Sequence, residues 1–440
     1  MTNQASSPYA REPCPQVTTP EGLMHVFVIP SWYPHRCFPL EGAYIRDQAL
    51  AIAELRPQWR VTISTWGQGE GFFSLNHLRR SPGCLWSFLM RPEWSERALA
   101  ANLVETQRPT PSWSERVARG NRAGLLRANR FQLARASERW GAPTVLHAHV
   151  SYPAGWIAWR LSEETGIPFV VTEHMGPFPL PVYRTRSGSL LPQIADPLRH
   201  AATRIAVSPH LASRMESFGV GTVQCVPNLV DERIHLPGSP REDGLFRFLT
   251  VCGMYREKGI HDLIDAVALL LPHLDERRRS MLRFRLGGTG PALSEFKQHA
   301  RHLKLEPWFE WLGLITPERA RAEFATCDAF VLPSHHESFG IVFVEAQAAG
   351  KPAVGTRCGG PEAIVSPECG VLVEPAQPDE LARAMQQVLD QRREYDDVAI
   401  RQHFVDHFSR PAVVDRLDTI YERVLASTGE AAVDKSRGLA

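Results

Sequence analysis

Residues Ser334 to Pro352 read SHHESFGIVFVEAQAAGKP, and their pattern sets the fold. A short apolar run (AFVLPS, Ala329–Ser334) ends here, Ser338-Phe339-Gly340 makes a turn, and a run apolar on nearly every face follows. That is a buried strand handing over to a buried helix. Two glutamates mark the handover: Glu337 before the turn, and Glu345 inside the helix between Val344 and Ala346. A carboxylate at such a position is costly unless something hydrogen-bonds to it. The helix start offers the backbone N–H groups of Gly340, Ile341 and Val342, which with the helix dipole favour phosphate. Glu345 follows about a turn and a half later, and helical side chains lean back toward the N-terminus. It is placed to accept hydrogen bonds from two sugar hydroxyls beside a helix-bound diphosphate. The alternative is a buried carboxylate satisfied by internal Ser or amide groups.

Working outward, the same strand-to-helix unit recurs. HVFVIP (25–30), RVTISTW (60–66), TVLHAHV (144–150), PFVVTEH (168–174) and RIAVSPH (204–210) form one series. FRFLTVC (246–252), LRFRLGG (282–288), AFVLPS, PAVGT (352–356) and GVLVE (370–374) form a second. Short β-rich apolar runs alternating with helices imply parallel sheets covered on both faces. The expectation is therefore α/β, with two doubly wound Rossmann-like domains facing across a cleft. HLPGSPREDG (235–244) reads as their linker. The domains are expected at 23–237 and 238–405, with a helix at 406–427 crossing back to the first and flexible tails at 1–22 and 428–440. Ligands of such sheets bind at the carboxyl ends of strands, where Gly42, His147, His149, Glu173, His174, Ser208, Lys258, the GGTGP turn containing Gly288, and Glu337 all fall.

Composition narrows the class. Hydrophobic residues make up 43% and charged residues 22% of 440, and the net charge is +1, so nothing pulls the whole chain toward nucleic acid. Its 8 cysteines form no CxxC pair, which fits reduced thiols in a cytoplasmic protein rather than a zinc site or a disulfide framework. No apolar run reaches the ~18 residues of a membrane span, and the N-terminal stretch lacks the apolar centre of a secretory signal. Residues 67–140 are distinct: 12 Arg against six Glu, interleaved with Phe72, Phe73, Trp86, Phe88, Trp94, Trp113 and Phe131. Basic and aromatic helices there would suit a peripheral contact with anionic membrane on its inner face, or an ordinary solvated helical layer.

Among the strand-end residues, Lys258 can neutralise a diphosphate leaving group, and the GGTGP turn allows close backbone approach. His147 and His149 alternate along one strand, so one of them is expected to face the cleft. Glu173 and His174 end a strand facing it and are acceptor-side candidates. His335 and His336 precede Glu337 without regular ligand spacing, so no metal is expected.

The E-x7-E spacing from Glu337 to Glu345, EAQAAGKPAVGTRCGGPEAIV (345–365), the Lys-Gly pair in GMYREKGIHDLIDA (253–266), and AVSPHL with VPNLVDE (206–211, 226–232) resemble the retaining GT-B glycosyltransferases of family 4, group 1. The opening IPSWYPHRCFPLEGAYIRDQA (29–49) is similar to members that build exopolysaccharide, teichuronic acid or O-antigen. The resemblance implies transfer of a sugar, with retention, from a UDP- or GDP-sugar to a glycan or lipid-linked glycan, without metal or other cofactor. It implies that Glu345 binds ribose and that Glu337 lies by the donor sugar. Gly340, Ile341, Val342 and Lys258 would hold the diphosphate, Gly42 would sit between acceptor and donor phosphates, Gly288 would line the donor site, and His149 would reach the reacting sugar. Two positions depart from the family pattern. Gly253 stands where an arginine is usual, leaving Arg256 as a substitute, and Asn228-Leu229 replaces Asn-Gly. A catalytically inactive scaffold, or another sugar-nucleotide enzyme such as an epimerase, are the alternative readings.

Overall fold

A computed structural model describes residues 23–437 apart from 36–38, 69–71, 74–85, 87–89, 91–92, 114–117, 235 and 239–242. The expected tail at 1–22 and much of the expected linker lie outside the described residues.

The first sheet has eight strands: β1 (His25–Pro30), β2 (Arg60–Thr65), β3 (Ser95–Ala100), β4 (Leu103–Gln107), β5 (Val145–His149), β6 (Phe169–Glu173), β7 (Thr203–Ala206) and β8 (Val223–Cys225). They lie in the order β8-β7-β6-β5-β1-β2-β4-β3, parallel except for the edge pair β3–β4. The second sheet is wholly parallel and has six: β9 (Phe246–Val251), β10 (Leu282–Gly287), β11 (Phe309–Gly313), β12 (Ala329–Leu332), β13 (Ala353–Thr356) and β14 (Gly370–Val373). Their order is β11-β10-β9-β12-β13-β14, reversing between β9 and β12. The interior strands are buried along nearly their whole length, as apolar runs between two helical layers require. Two doubly wound α/β domains result, as the alternating pattern predicts.

The helices that matter for the site are α1 (Ala43–Leu55), α2 (Arg122–Trp140), α3 (Pro209–Glu216), α4 (Ile260–Leu270), α5 (Ile341–Ala348), α6 (Asp397–Phe408) and α7 (Arg410–Arg437). The chain crosses back between α6 and α7, so the return begins at 409–410 rather than 406. Helix α7 continues to Arg437, where a flexible tail from 428 was expected. It packs on α1, with Val413, Val414, Leu417 and Tyr421 in the core of the first domain. Arg410 ties the two crossings together, pairing with Glu54 of α1 at 2.8 Å and with Glu232 of the outgoing connection at 2.7 Å.

Residues 67–140 depart from a helical layer. They supply the edge strand β3 and its neighbour β4, a two-stranded pair (Phe72–Phe73 with Ser112–Trp113) and helix α2; most of 69–92 lies outside the described residues. Several of the arginines are neutralised within the protein: Arg97 by Glu105, Arg130 by Glu164, Arg135 by Glu138 and Arg139 by Glu96. Arg108 and Arg135 lie over the rings of Phe131 and Trp94. A stretch whose charges are taken up this way presents less free cation to an anionic surface than its composition suggests. Among the described residues no helix is long and apolar enough to cross a membrane.

Candidate functional site

The two sheets turn the carboxyl ends of their strands toward each other, and a cavity of about 300 Å³ lies between them. Tyr44, His174 and Asn228 line it from the first domain; Lys258, Glu337 and the Ser338–Val342 turn line it from the second. Ser208 closes one margin, its hydroxyl donating to the Ser338 carbonyl at 2.6 Å across the domain boundary.

Helix α5 begins at this cavity. Gly340 caps it at φ 94°, a left-handed conformation in which a side chain is strained. The first amides of any helix lack an intrahelical acceptor, and Ile341 and Val342 line the cavity wall. Glu345 sits in the second turn. Burial raises its carboxyl pKa from 4.5 to about 7, and Arg321 works in the opposite direction. The helix packs Phe343, Val344, Ala346 and Ala348 into the core, which is why a sequence apolar all round belongs here.

Glu337 and Lys258 meet at the cavity, with Nζ 2.7 Å from Oε1. The Ser334 hydroxyl donates to the same carboxylate oxygen at 2.9 Å. Both side chains are largely buried. Burial alone would lower the Lys258 pKa, but the Glu337 carboxylate outweighs it and leaves the ammonium more firmly protonated than usual. Lys258 closes a single 3-10 turn, and Gly259 at φ 67° starts α4 directly after it.

Arg256 does not line the cavity: its guanidinium is exposed and paired with Glu295 at 2.8 Å. Gly288 is a packing residue here: at φ 137°, a Cβ would lie 1.8 Å from the Cys252 carbonyl oxygen, and the cavity wall is Cys252 and Gly253 instead. Gly42 caps α1 at φ 64° with its Cβ position 2.4 Å from the Trp32 carbonyl oxygen, so it sets the start of the helix from whose first turn Tyr44 reaches the cavity.

The histidines correct a geometric expectation. Residues two apart in a strand share a face, and the His147 and His149 rings stack at 4.2 Å. His147 is held by Tyr421 of α7 at 2.6 Å and by Thr172 at 2.8 Å. His149 Nδ1 bonds His174 Nε2 at 3.0 Å, and His174 in turn packs against the Tyr44 ring. His149 Nε2 is buried without a hydrogen-bond partner. Burial lowers the pKa of all three, to about 3 for His147 and His174, so they are neutral imidazoles at ordinary pH. His174 reaches the cavity and His149 stands one layer behind it.

Glu173 is not available to a ligand. It is fully buried and accepts from the backbone N–H groups of Ser151, His174 and Met175 at 2.9–3.0 Å, organising the loops that leave β5 and β6. His335 pairs with Asp262, and among the described residues no group of three or more His, Cys, Asp or Glu could hold a metal ion. Tyr44, Ser338 and Cys252 were not singled out from sequence. Tyr44 carried a signal in being aromatic two residues after the first helix-capping glycine.

Residues 89–233 match the family model Glycosyltransferase Family 4, and residues 233–402 match Glycosyl transferases group 1. Among curated proteins, the chain is 36% identical over 177 residues to a D-inositol 3-phosphate glycosyltransferase of Corynebacterium kroppenstedtii, covering 38% of each chain. It is 27% identical over 312 residues to the Corynebacterium aurimucosum protein of the same name, covering 63% of this chain and 71% of that one. It is also 27% identical over 214 residues to N-acetyl-alpha-D-glucosaminyl L-malate synthase of Bacillus anthracis, covering 46% and 54%. The first and third matches thus span little more than half of the relatives' own length, or less. Among solved structures, sucrose-phosphate synthase of Thermosynechococcus elongatus superposes with a TM-score of 0.66 at 18% identity over 92% of this chain and all of that one. Anabaena HepE in complex with UDP gives 0.62 at 17% over 91% and 100%. These likenesses establish the GT-B fold.

Proposed function

We propose that this chain, which carries a family 4 and a group 1 glycosyltransferase domain in its two halves, moves a sugar from a UDP- or GDP-sugar to a hydroxyl acceptor. The observation that carries the reading is the convergence of Lys258, Glu337 and the Gly340-capped start of α5 on one cavity between the domains. The amides of Ile341 and Val342 and the Lys258 ammonium receive the donor diphosphate, and the Glu345 carboxylate receives the ribose hydroxyls. Glu337 holds Lys258 in place and faces the donor sugar. His174 is neutral and serves as a hydrogen-bonding group toward the sugar, and His149, bonded to it from behind, positions its ring. In the transfer, the acceptor oxygen forms its bond to the anomeric carbon while the bond to the diphosphate breaks. Attack comes from the leaving-group face, the hydroxyl proton passes to a departing phosphate oxygen, and the anomeric configuration is retained. Charge develops most on that leaving group, so preorganised cationic and N–H groups contribute most to the rate. Complexes of the same fold with UDP favour uridine as the base.

The acceptor is read as a glycan or lipid-linked glycan of cell-surface polysaccharide synthesis. The names of the curated relatives favour a second reading, a small anionic acceptor such as a cyclitol phosphate or a hydroxy acid. Calorimetric titration of UDP and GDP, without metal, into the wild type and Glu345→Ala tests the donor reading. Selective binding of one nucleotide, weakened by about 2 kcal/mol in the variant, is expected. Binding by neither would refute it. An inverted product anomer by NMR would refute retention.

A further inference from the structure

A second groove, of about 350 Å³, opens on the other side of Ser338 from the donor cavity, and Ser338 is the one residue common to both walls. Its lining differs in kind. Arg184, Arg214, His210 and His336 face it over a floor that includes Phe178 and Leu211, and no carboxylate lines it. Among the described residues neither arginine has an acidic partner, whereas Arg130, Arg256, Arg285 and Arg410 each have one.

Both guanidiniums are nonetheless held. Both lie over the Phe218 ring, 5.4 Å from its centroid for Arg184 and 4.9 Å for Arg214. Arg214 Nε also donates to the Phe178 carbonyl at 3.1 Å, which leaves its terminal nitrogens for something else. A guanidinium fixed by stacking and by one backbone bond has lost part of its conformational freedom in advance, and its remaining donors suit a phosphate or carboxylate. His336 adds a ring nitrogen that is buried without a partner, from the domain that also supplies Glu337. The groove therefore spans both domains, and its cations come from the first.

We propose that this groove is an anion subsite for the acceptor: Arg184 and Arg214 hold a phosphate or carboxylate group of the acceptor, and so set its hydroxyl at the Ser338 margin facing the donor. This rests on the glycosyltransferase reading for its role, but the binding it asserts is measurable separately. Two sources supply such a group, a small phosphorylated molecule or the phosphate of a lipid-linked one.

The test titrates inorganic phosphate, and separately UDP and GDP, into the full chain and into the Arg184→Gln/Arg214→Gln variant by calorimetry. Phosphate is expected to bind the wild type and to bind the variant at least about tenfold more weakly, as loss of a charge-assisted hydrogen bond implies. Nucleotide affinity is expected to be equal in the two proteins, which also shows that the variant folds. Phosphate binding that is absent from the wild type, or equal in both proteins, overturns the subsite. A parallel fall in nucleotide affinity also overturns it, because the arginines would then serve the donor. Failure of nucleotide to bind either protein refutes the donor reading and leaves the phosphate comparison to decide the subsite. Sedimentation with phosphatidylcholine vesicles containing phosphatidic acid, set against phosphatidylcholine alone, distinguishes the sources. Co-sedimentation lost in the variant assigns the anion to a lipid; phosphate binding without co-sedimentation assigns it to a small acceptor.

Discussion

Lys258 Nζ lies 2.7 Å from Glu337 Oε1, inside a wall where the two side chains shield each other from water. The pair is more than a surface ion pair of small worth, because both side chains are largely buried and Ser334 fixes the carboxylate. It positions the ammonium without spending all three of its donors.

Lys258→Ala is therefore expected to lower kcat by about 10²–10³-fold, the range for losing one preorganised charge-stabilising group. Nucleotide affinity should change far less. The same substitution leaves Glu337 without its cation, at a stability cost of about 1–3 kcal/mol. Lys258→Ala/Glu337→Gln should be less destabilised than the sum of the single variants, and denaturant unfolding of the four proteins in the cycle measures the difference. Strict additivity would show that the pair is not coupled.

Glu345 gives a pH signature. Its carboxyl is protonated more readily in the folded chain, at about 7, than at its ordinary 4.5. The folded state therefore binds the proton more tightly, and the stability this contributes is complete below pH 4.5 and lost as the pH rises through 7. Glu345→Gln should remove a loss on the order of 2 kcal/mol across that interval, a figure reduced for the partial exposure of the side chain. Ribose hydroxyls donate to the ionised form, so nucleotide binding should release protons near pH 6–7 and strengthen toward pH 8. Calorimetry in buffers of different ionisation enthalpy reads that release. Its difference between wild type and Glu345→Gln is free of the nucleotide's own titration, and identical proton release would remove Glu345 from the ribose site.

What the sequence showed and what it concealed divide by range. The fold was legible because each strand-to-helix unit is local, and the E-x7-E segment was legible because its helix is apolar on every face. Glu173 was misread because its partners are backbone N–H groups, which leave no mark in a sequence. The pairing of Arg256 was not legible because Glu295 lies 39 residues away on a different helix. The His147–His149 reading failed on the period of a strand, not on missing information. Tyr421, 274 residues from His147, had no signal beyond an aromatic on an amphipathic helix.

That last contact yields a prediction of its own. Tyr421 is fully buried, and its hydroxyl is one of two partners of the buried His147 ring. Tyr421→Phe keeps the ring and orphans Nδ1, so a loss of about 1–3 kcal/mol in denaturant unfolding is expected. UDP or GDP affinity should be unchanged, because Glu345 and α5 belong to the other domain. A neutral effect on stability would mean that the ring finds another partner.

Two glycines separate packing from site geometry. At Gly288 a methyl group would meet the Cys252 carbonyl oxygen at 1.8 Å, at a φ of +137° that side chains rarely adopt. Backbone cannot swing aside as a side chain can, so Gly288→Ala should destabilise the second domain by more than about 3 kcal/mol. At Gly340 the φ is +94°, but the nearest atom, at 2.9 Å, belongs to the Phe343 ring, which can shift. Gly340→Ala should cost about 1–2 kcal/mol, the strain of a left-handed alanine. It tilts the amides of Ile341 and Val342, so nucleotide affinity should fall with it. Thermal unfolding and nucleotide titration of both variants check the pair. A Gly340→Ala protein that binds nucleotide as the wild type does would show that the donor diphosphate does not rest on the start of α5.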